Sequence, residues 1–154
     1  MPASDRDLEI LDGTWKLIEV TRTDQQTGAV VHHYGESPIG YIMYGKDGRM
    51  MVLIARRDRA TPASIAAITD AQRADLFAGF MGYTGTYRFD GKVMEHHIEL
   101  AWNAVWSNTV QIRDVRKEGN RLIYTSRPSP GPNDGRMGFG TLVWEKLSNQ
   151  AVTM

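Results

Sequence analysis

The chain has 154 residues, of which 42% are hydrophobic and 23% charged, and it contains no cysteine. Its 18 basic and 18 acidic side chains cancel, so the basic surface that nucleic-acid binding needs is missing, and no apolar run is long enough to span a membrane. Without cysteine, disulfides, thiol nucleophiles and cysteine metal sites are excluded. The polar N-terminal stretch, residues 1–13, lacks a secretory signal, so we expect a cytoplasmic protein.

Strand-like runs follow one another along the chain and predict an all-β domain. These runs are rich in Val, Ile, Thr, Tyr and Trp, and tight turns separate them. They lie at 13–24, 29–34, 38–45, 49–56, 82–90, 92–102, 106–117, 121–127 and 137–147. Short antiparallel strands joined in this way close most economically as a barrel or a sandwich. We predict one domain, residues 1–154, built as a single antiparallel β-barrel of about eight or nine strands.

One segment, residues 69–81, interrupts the strands and predicts a short helix before the fifth strand. It is rich in helix formers, and Thr69 with Gln72 three residues later has the pattern of a capping box. Gly79 or Gly82 can end the helix. Such an insertion either covers one end of the barrel or simply connects two strands, and we favour the connection.

The turn at Asp90-Gly91 predicts a hairpin with a two-residue loop, which fixes the pairing of the strands on either side. The expected register places Gly85 opposite His96. One face of the hairpin is then apolar and aromatic, while the other holds charges and hydroxyls. The apolar face comprises Tyr83, Gly85, Tyr87, Met94, His96, Ile98, Leu100 and Trp102.

His96 and His97 are neighbours in one strand, so their side chains point to opposite faces and cannot serve one site. We expect His97 on the solvated face. His96 lies on the apolar face, where Gly85 either leaves space over the imidazole or marks a bend. Burial would lower the pKa of His96 and keep it neutral near pH 7. It is then either the polar anchor of a binding pocket or a packed core histidine.

The hairpin through Glu118-Gly119 supplies further candidate residues. Its expected register pairs Arg113 with Tyr124 on a face that also carries Gln111. An inward arginine would be paired or would bind the carboxylate or enolate of a ligand. The alternative, which we favour, places Arg113 near the barrel mouth, where its guanidinium reaches water.

Aromatic residues complete the candidate pocket. Trp102 and Trp106 flank a short connection and form either an aromatic wall or a hydrophobic corner. Tyr41 is a candidate ligand contact from the third strand. Both faces of residues 39–54 are apolar, however, so the pattern does not select the face that lines the interior.

The sequence contains no recognisable metal or cofactor motif. HExxH, cysteine pairs, carboxylate-rich loops, a nucleophile elbow and a glycine-rich phosphate loop are all missing. A second histidine pair, His32 and His33, precedes a Gly-Glu-Ser-Pro loop, and we expect it at the surface. We therefore predict no metal and no cofactor.

Taken together, these segments resemble the lipocalin-like domain family of bacteria and fungi, small stand-alone barrels of about this length. The family pattern has a histidine at the position of His96 and aromatic-Gly-aromatic at Tyr83, Gly85 and Tyr87. The similarity extends in order over nearly the whole chain. The matching segments are Gly13-Thr14-Trp15-Lys16-Leu17, YGESPIGYIMYGKDGRMMV (34–52), YTGTYRFDGKVMEHHIEL (83–100), VQIR (110–113), GNRLIY (119–124) and LVWEK (142–146).

The chain departs from the family pattern in one loop. Where the family has Asn-Pro-x-Trp-x-Gly-Thr, residues 103–109 read Asn-Ala-Val-Trp-Ser-Asn-Thr. Because the Pro and the Gly are missing, we expect this loop at one end of the barrel to differ in conformation from that of the family. The difference would change the shape of the barrel entrance and the ligands that can enter. The resemblance implies a barrel with an interior cavity for a small, mostly apolar molecule. Some related barrels are cofactor-free cyclases, isomerases or lyases.

Two classes of function are consistent with the predicted barrel and its candidate residues. The first is a cofactor-independent isomerase, cyclase or lyase, with His96 as general acid or base and Arg113 or Tyr124 stabilising developing negative charge. The second is a carrier or sensor in which His96 and Tyr83 only orient a small hydrophobic or aromatic ligand. The missing secretory signal favours the enzyme. In either case the expected ligand contacts are Tyr83, Gly85, Tyr87, Ile98, Trp102, Trp106 and Tyr41.

A third, minor interpretation concerns partners rather than ligands. The apolar faces of the strands could serve homo-oligomerisation. We expect no nucleic-acid partner and no membrane partner, since neither a basic surface nor a spanning segment is present.

Overall fold

The computed structural model describes residues 4–131 and 134–148, so the ends of the predicted 1–154 domain lie outside the described residues. The described chain contains the helices α1 (Asp5–Leu11) and α2 (Asp70–Ala78), a 3-10 helix at Ala104–Trp106, and ten strands. The strands are β1 (Gly13–Asp24), β2 (Val30–Val31), β3 (Ile39–Tyr44), β4 (Arg49–Ala55), β5 (Phe80–Phe89), β6 (Val93–Ala101), β7 (Val110–Glu118), β8 (Arg121–Ser126), β9 (Ser129–Pro130) and β10 (Met137–Lys146).

Eight of these strands close an antiparallel barrel. Their order in the sheet is β1, β3, β4, β5, β6, β7, β8, β10, and β10 pairs with β1 along its length. The two-residue strands β2 and β9 extend β1 and β10. Most neighbours in the sheet are also consecutive in the chain, because short turns connect them. The predicted single antiparallel barrel is confirmed, although the expected strand at 29–34 shrinks to β2.

The predicted helix at 69–81 is confirmed as α2, but it is shorter. The Thr69 hydroxyl accepts the Gln72 backbone N–H, and the Gln72 side chain accepts that of Thr69, which completes the capping box. Gly79 caps the helix, and residues 80–81 already belong to β5. No residue of α2 is fully buried, and Phe77 packs against Trp102. The helix is a connection beside the barrel rather than a plug.

The helix α1 is not among the elements predicted from the sequence. Its start is a reciprocal capping box between Ser4 and Asp7, a Ser-x-x-Asp spacing that is visible in the sequence. Leu11 at its end is fully buried, and its carbonyl accepts the indole N–H of Trp15 at 2.9 Å. Within the described chain, no helix has the length and hydrophobicity needed to span a membrane.

Large side chains fill most of the barrel interior. Buried and exposed residues alternate along β3 and through most of β4, as expected for strands with one face on a core. The interior is therefore a packed core over most of its length. Its largest fully buried side chains include Trp15, Tyr44, Met50, Met94, Tyr124 and Trp144.

The hairpin between β5 and β6 is shifted by two residues from its predicted register. The Asp90 carboxylate accepts the backbone N–H groups of Lys92 and Val93, which lengthens the loop beyond two residues. Pairing therefore begins with Phe89 opposite Met94. A shift of two residues leaves the side chains of residues 85–89 and 94–98 on their expected faces, whereas a shift of one would reverse them.

The shift changes the neighbours of Gly85. His96 lies opposite Tyr87, and Gly85 lies opposite Ile98, so the predicted space over the imidazole at Gly85 is wrong. Gly85 instead sits at a bulge, where a Cβ atom would overlap the carbonyl oxygen of His97. The alternative prediction, that Gly85 marks a bend in the strand, is confirmed by this bulge.

The same bulge reverses the faces of the last residues of β6. The register of the strand pairing shifts by one residue between Thr84 and Gly85. Leu100 therefore points outward, and 66% of its surface is exposed. The prediction that Leu100 lies on the inner face is therefore wrong. A bulge inserts one residue into one strand only, which a strictly alternating pattern does not reveal.

The hairpin between β7 and β8 is also shifted by two residues, because its loop is Gly119-Asn120. Arg113 pairs with Ser126 instead of Tyr124. The face is again preserved, and Arg113 is buried, with 7% of its surface exposed. The favoured expectation that its guanidinium reaches bulk water is wrong.

Candidate functional site

Four buried side chains form one hydrogen-bond chain inside the barrel. The Nδ1 atom of His96 lies 2.7 Å from the Tyr83 hydroxyl oxygen, and its Nε2 atom lies 2.7 Å from that of Tyr44. The Tyr44 hydroxyl lies 2.9 Å from that of Tyr124. β3, β5, β6 and β8 each contribute one member, so closure of the barrel brings them together. We call these four residues the Tyr–His chain.

Three members of the Tyr–His chain, His96, Tyr83 and Tyr124, are among the site residues predicted from the sequence, and Tyr44 is not. The alternation in β3 turns Tyr44 inward and Tyr41 outward, where Tyr41 is 43% exposed. The structure therefore separates Tyr41 from the interior residues with which the sequence grouped it. Both faces of β3 are apolar, so composition could not distinguish the two tyrosines.

Burial determines the charge state of the Tyr–His chain. Burial, with the Arg113 charge as a smaller cause, holds the pKa of His96 well below 6.5. Burial also raises the pKa values of Tyr44, Tyr83 and Tyr124 above the ordinary 10. At neutral pH the imidazole is therefore uncharged, and all three hydroxyls keep their protons.

The Tyr–His chain has one proton more than it has hydrogen bonds. A neutral imidazole carries one N–H and each tyrosine one O–H, so four protons serve the three links. With the proton on Nδ1, His96 donates to Tyr83, and the Tyr83 hydroxyl proton is left over. With the proton on Nε2, every bond reverses, and the Tyr124 proton is left over. A buried O–H without an acceptor costs about 1–3 kcal/mol, so an acceptor at either end selects the tautomer.

The depressed pKa of His96 predicts a loss of stability in acid. Only the unfolded state binds this proton readily, so the contribution of His96 lowers the free energy of unfolding as the pH drops below about 6.5 and has no effect well above that value. The slope is at most about 1.4 kcal/mol per pH unit. Chemical denaturation between pH 7.5 and 5 at about half-unit steps measures it.

His96→Gln is the matched variant for this measurement, since an amide keeps a donor and an acceptor but does not titrate. We expect its stability to change less with pH than that of the wild type over the same interval. In the wild type, the His96 ring resonances should stay at their neutral positions down to well below pH 6.5. An imidazole that titrates near 6.5, or equal slopes for both proteins, contradicts the prediction.

Arg113 places a positive charge in the interior of the barrel. It extends from β7 into the interior, and its Nη1 atom donates to the Gln111 side-chain oxygen and the Ile112 carbonyl, both at 3.3 Å. Both acceptors are neutral, and none of the salt bridges among the described residues includes Arg113. A buried cation without a counter-charge is unusual, because buried charges are normally paired.

A cavity of about 80 Å³ lies at the barrel end next to Arg113. Arg22 also lines it, and its guanidinium donates to the carbonyl oxygens of Ser129 and Arg136 at 2.6 and 2.8 Å. Arg22 and Tyr34 both line the cavity, and neither was predicted from the sequence as a site residue. Burial raises the pKa of the Tyr34 hydroxyl to about 12. The cavity combines two guanidinium groups with an apolar wall formed by Val20, Ile54, Met81, Trp106 and Leu142.

The cavity lies beside the Tyr–His chain. Gln111 lines the cavity and pairs directly with His96 across β6 and β7. The ring of Trp106, another lining residue, lies 6.0 Å from the ring of Tyr83. Of the predicted residues, Trp106 and Arg113 line the cavity, whereas His96, Tyr83 and Tyr124 lie next to it without lining it.

Other predicted ligand contacts lie away from the cavity. The Tyr87 hydroxyl donates to the Gly45 carbonyl at 2.9 Å, and Ile98 is packed in the core. Trp102 stacks edge-on against Trp106, with ring centres 5.3 Å apart, but it borders a groove on the outer surface. His97 is partly exposed on the outer face, where it pairs with Glu95 at 2.9 Å, as the alternation predicts.

The loop that departs from the family pattern keeps a conformation typical of glycine. Asn108 stands where the pattern has Gly and has a φ of 63°, in the left-handed region that Asn tolerates better than most residues. Ala104 stands where the pattern has Pro and begins the 3-10 helix, a position that proline also favours. Trp106 reaches the cavity from this loop. His32 and His33 are exposed, as predicted, and His33 lies at the cavity rim.

Comparison with known proteins is consistent with this architecture. Across residues 4–131 and 134–148, His, Asp and Glu side chains form no cluster of three that could hold a metal ion. A comparison with curated proteins finds no match. The family model described as lipocalin-like domain matches residues 12–147, and its fold is consistent with binding of a small molecule. The chain belongs to the lipocalin-like domain family.

Proposed function

We propose that the protein binds a small, mainly apolar molecule that carries a carboxylate or an enolisable carbonyl, and that Arg113 holds this oxygen. The observation that carries the proposal is the buried guanidinium of Arg113, whose protein partners are neutral. A ligand oxygen would supply the missing counter-charge, and charge-assisted bonds to a guanidinium are among the strongest in proteins. Arg22 on the same cavity adds a second positive group.

The size of the cavity limits how the ligand sits. A volume of about 80 Å³ accepts a carboxyl group with a few carbon atoms, whereas pockets for whole drug-sized molecules hold about 300–1,000 Å³. The acidic end would therefore enter the barrel, and the remaining apolar part would lie at the rim beside Trp106 and His33. This arrangement favours acids with a slender end over bulky ring systems.

The test uses pairs of compounds that differ only in charge. Small aromatic, terpenoid and fatty acids are compared with their primary amides in a thermal-shift assay at neutral pH. A ligand present at 100 times its Kd stabilises by about 2.7 kcal/mol, which raises the melting temperature by roughly 5–10 °C for a chain of this length. We expect acids to act and amides to fail. Equal shifts within pairs, or a flat response to all compounds, would rule out a carboxylate as the group that Arg113 holds.

A second candidate function, a cofactor-independent isomerase, cyclase or lyase, is supported by the Tyr–His chain. Its surplus proton sits on a hydroxyl at one end or the other, so the chain is equipped to donate and accept protons. Through the Tyr83 hydroxyl, His96 would take a proton from the carbon next to a carbonyl. The enolate oxygen would form beside Arg113, and return of the proton to another carbon would complete an isomerisation.

Turnover of a bound compound separates the enzyme from the carrier. For an enzyme, we expect His96→Gln to lower the rate by about 10²- to 10⁴-fold while the thermal shift with the same compound persists. Product formation is followed by mass spectrometry on every compound that stabilises the wild type. A wild type that binds but converts none of them is a carrier or sensor, in which the Tyr–His chain only orients the ligand.

A further inference from the structure

The outside of the barrel carries a continuous apolar surface over β3 and β4 and the ends of β5 and β6. In antiparallel barrels the outward residues are usually polar, but here they are large and hydrophobic, with exposed fractions from 38 to 66%. We call this surface the outer apolar face. It comprises Ile39, Tyr41, Met43, Met51, Leu53 and Leu100.

Strand pairing makes the outer apolar face contiguous rather than scattered. Met43 pairs with Met51, Met51 with Thr84, and Thr84 with Leu100, so one row crosses four strands. In the next row, Tyr41 pairs with Leu53, and Leu53 with Gly82. Contiguous apolar patches above about 300–600 Å² are rare on monomeric proteins and mark interaction surfaces.

The outer apolar face has the relief of two ridges with a groove between them. The outward residues of β5, Gly82 and Thr84, are small, and a groove of about 500 Å³ runs over them. Met51 and Leu53 form one ridge on β4, and Leu100 with Trp102 forms the other. Met51 and Leu100 are the most exposed members, at 60 and 66%.

We infer that the outer apolar face is the interface of a homodimer, in which a ridge of each copy fills the groove of the other. A two-fold interface requires one patch to be complementary to itself, and this patch holds both the protruding side chains and the hollow that accepts them. Two sheets packed face to face bury both apolar surfaces at the spacing found in sandwiches, about 10 Å.

The size of the outer apolar face suits a second copy. A standard interface buries about 800 Å² on each partner. Six half-exposed large side chains supply most of such an area, and Trp102 and Phe80, which also border the groove, extend it. Burial of this apolar surface is the driving force for association.

The charges around the outer apolar face also suit a second copy rather than a lipid surface. Arg49 and Glu99 pair at 2.6 Å beside it, and Lys16 pairs with Tyr41 across β1 and β3. The edge thus carries both signs, and the whole chain has a formal charge of zero, so two copies do not repel each other. Binding to an anionic membrane depends instead on an excess of Lys and Arg.

Sedimentation equilibrium tests the dimer. We expect a mass of twice 17.3 kDa for the wild type and at least about a 30-fold weaker association for Leu53→Glu, because a carboxylate at the centre of the interface loses its water. The matched control is Val30→Glu on β2, where Val30 is 57% exposed outside the outer apolar face. Its mass should remain that of the dimer.

Circular dichroism and the melting temperature of each variant show whether its fold is intact. A wild type that is monomeric up to about 100 µM, well above typical dissociation constants of stable dimers, overturns the inference. A dimer that survives both Leu53→Glu and Met51→Glu also overturns it, because the interface then lies elsewhere. Neither result bears on the Arg113 cavity, which opens at a barrel end and is tested by acid–amide pairs.

Discussion

Arg113→Met is expected to make the ligand-free protein more stable and to remove its response to acids. Arg113 is buried with neutral acceptors, so the folded state bears the cost of dehydrating its charge. Methionine fills a similar volume without a charge, and even buried ion pairs can often be replaced by apolar residues of similar volume with a gain of up to about 1–4 kcal/mol. We expect a gain in this range and a melting temperature higher by roughly 2–16 °C.

Two further variants make the Arg113 experiment specific. Arg116→Met, on the same strand but on the outside, where Arg116 pairs with Glu118 at 2.9 Å, should leave both stability and acid binding within about 0.5 kcal/mol of the wild type. Arg113→Lys keeps the charge but loses the forked geometry, so it should bind acids more weakly than the wild type. Destabilisation by Arg113→Met, or an unchanged acid response, contradicts the assignment.

Gly85→Ala is expected to be the most destabilising single-methyl addition in the barrel. The new Cβ atom would overlap the carbonyl oxygen of His97, and it would lie 2.9 Å from the carbonyl carbon of the same residue. Both are backbone atoms of a paired strand, so they cannot move away as a flexible side chain can. Overpacking of this kind costs about 3 kcal/mol or more, which corresponds to a melting temperature lower by roughly 6–12 °C.

Gly140→Ala is the matched control, since Gly140 also lies in a barrel strand. A Cβ atom there would meet its nearest neighbours, in Ser126 and Thr21, at 3.6 Å, which is an ordinary contact distance. Its free energy of unfolding should stay within about 1 kcal/mol of the wild type. If urea denaturation gives equal effects for the two variants, the bulge at Gly85 does not have the close backbone contact described.

Local patterns in the sequence determined the architecture. Turn residues at short intervals between strand-like runs predict an antiparallel meander, and the Thr69–Gln72 pair predicts the start of α2. The alternation of side chains along a strand predicts that His96 and His97 lie on opposite faces. This prediction is correct although the predicted register is wrong by two residues, because the side-chain direction repeats every two residues. The family resemblance and the face on which Arg113 lies rest on the same local information, whereas the burial of its guanidinium was not predicted.

The tertiary structure alone decided which residues meet. Both faces of β3 are apolar, so only closure of the barrel shows that Tyr44 turns inward to His96 while Tyr41 joins the outer apolar face. The bulge at Gly85 depends on contacts between two strands and moves Leu100 to the outside. The small size of the cavity follows from how all the interior side chains pack together. Periodicity describes one strand at a time, whereas register, bulges and packed volume are properties of strands in contact.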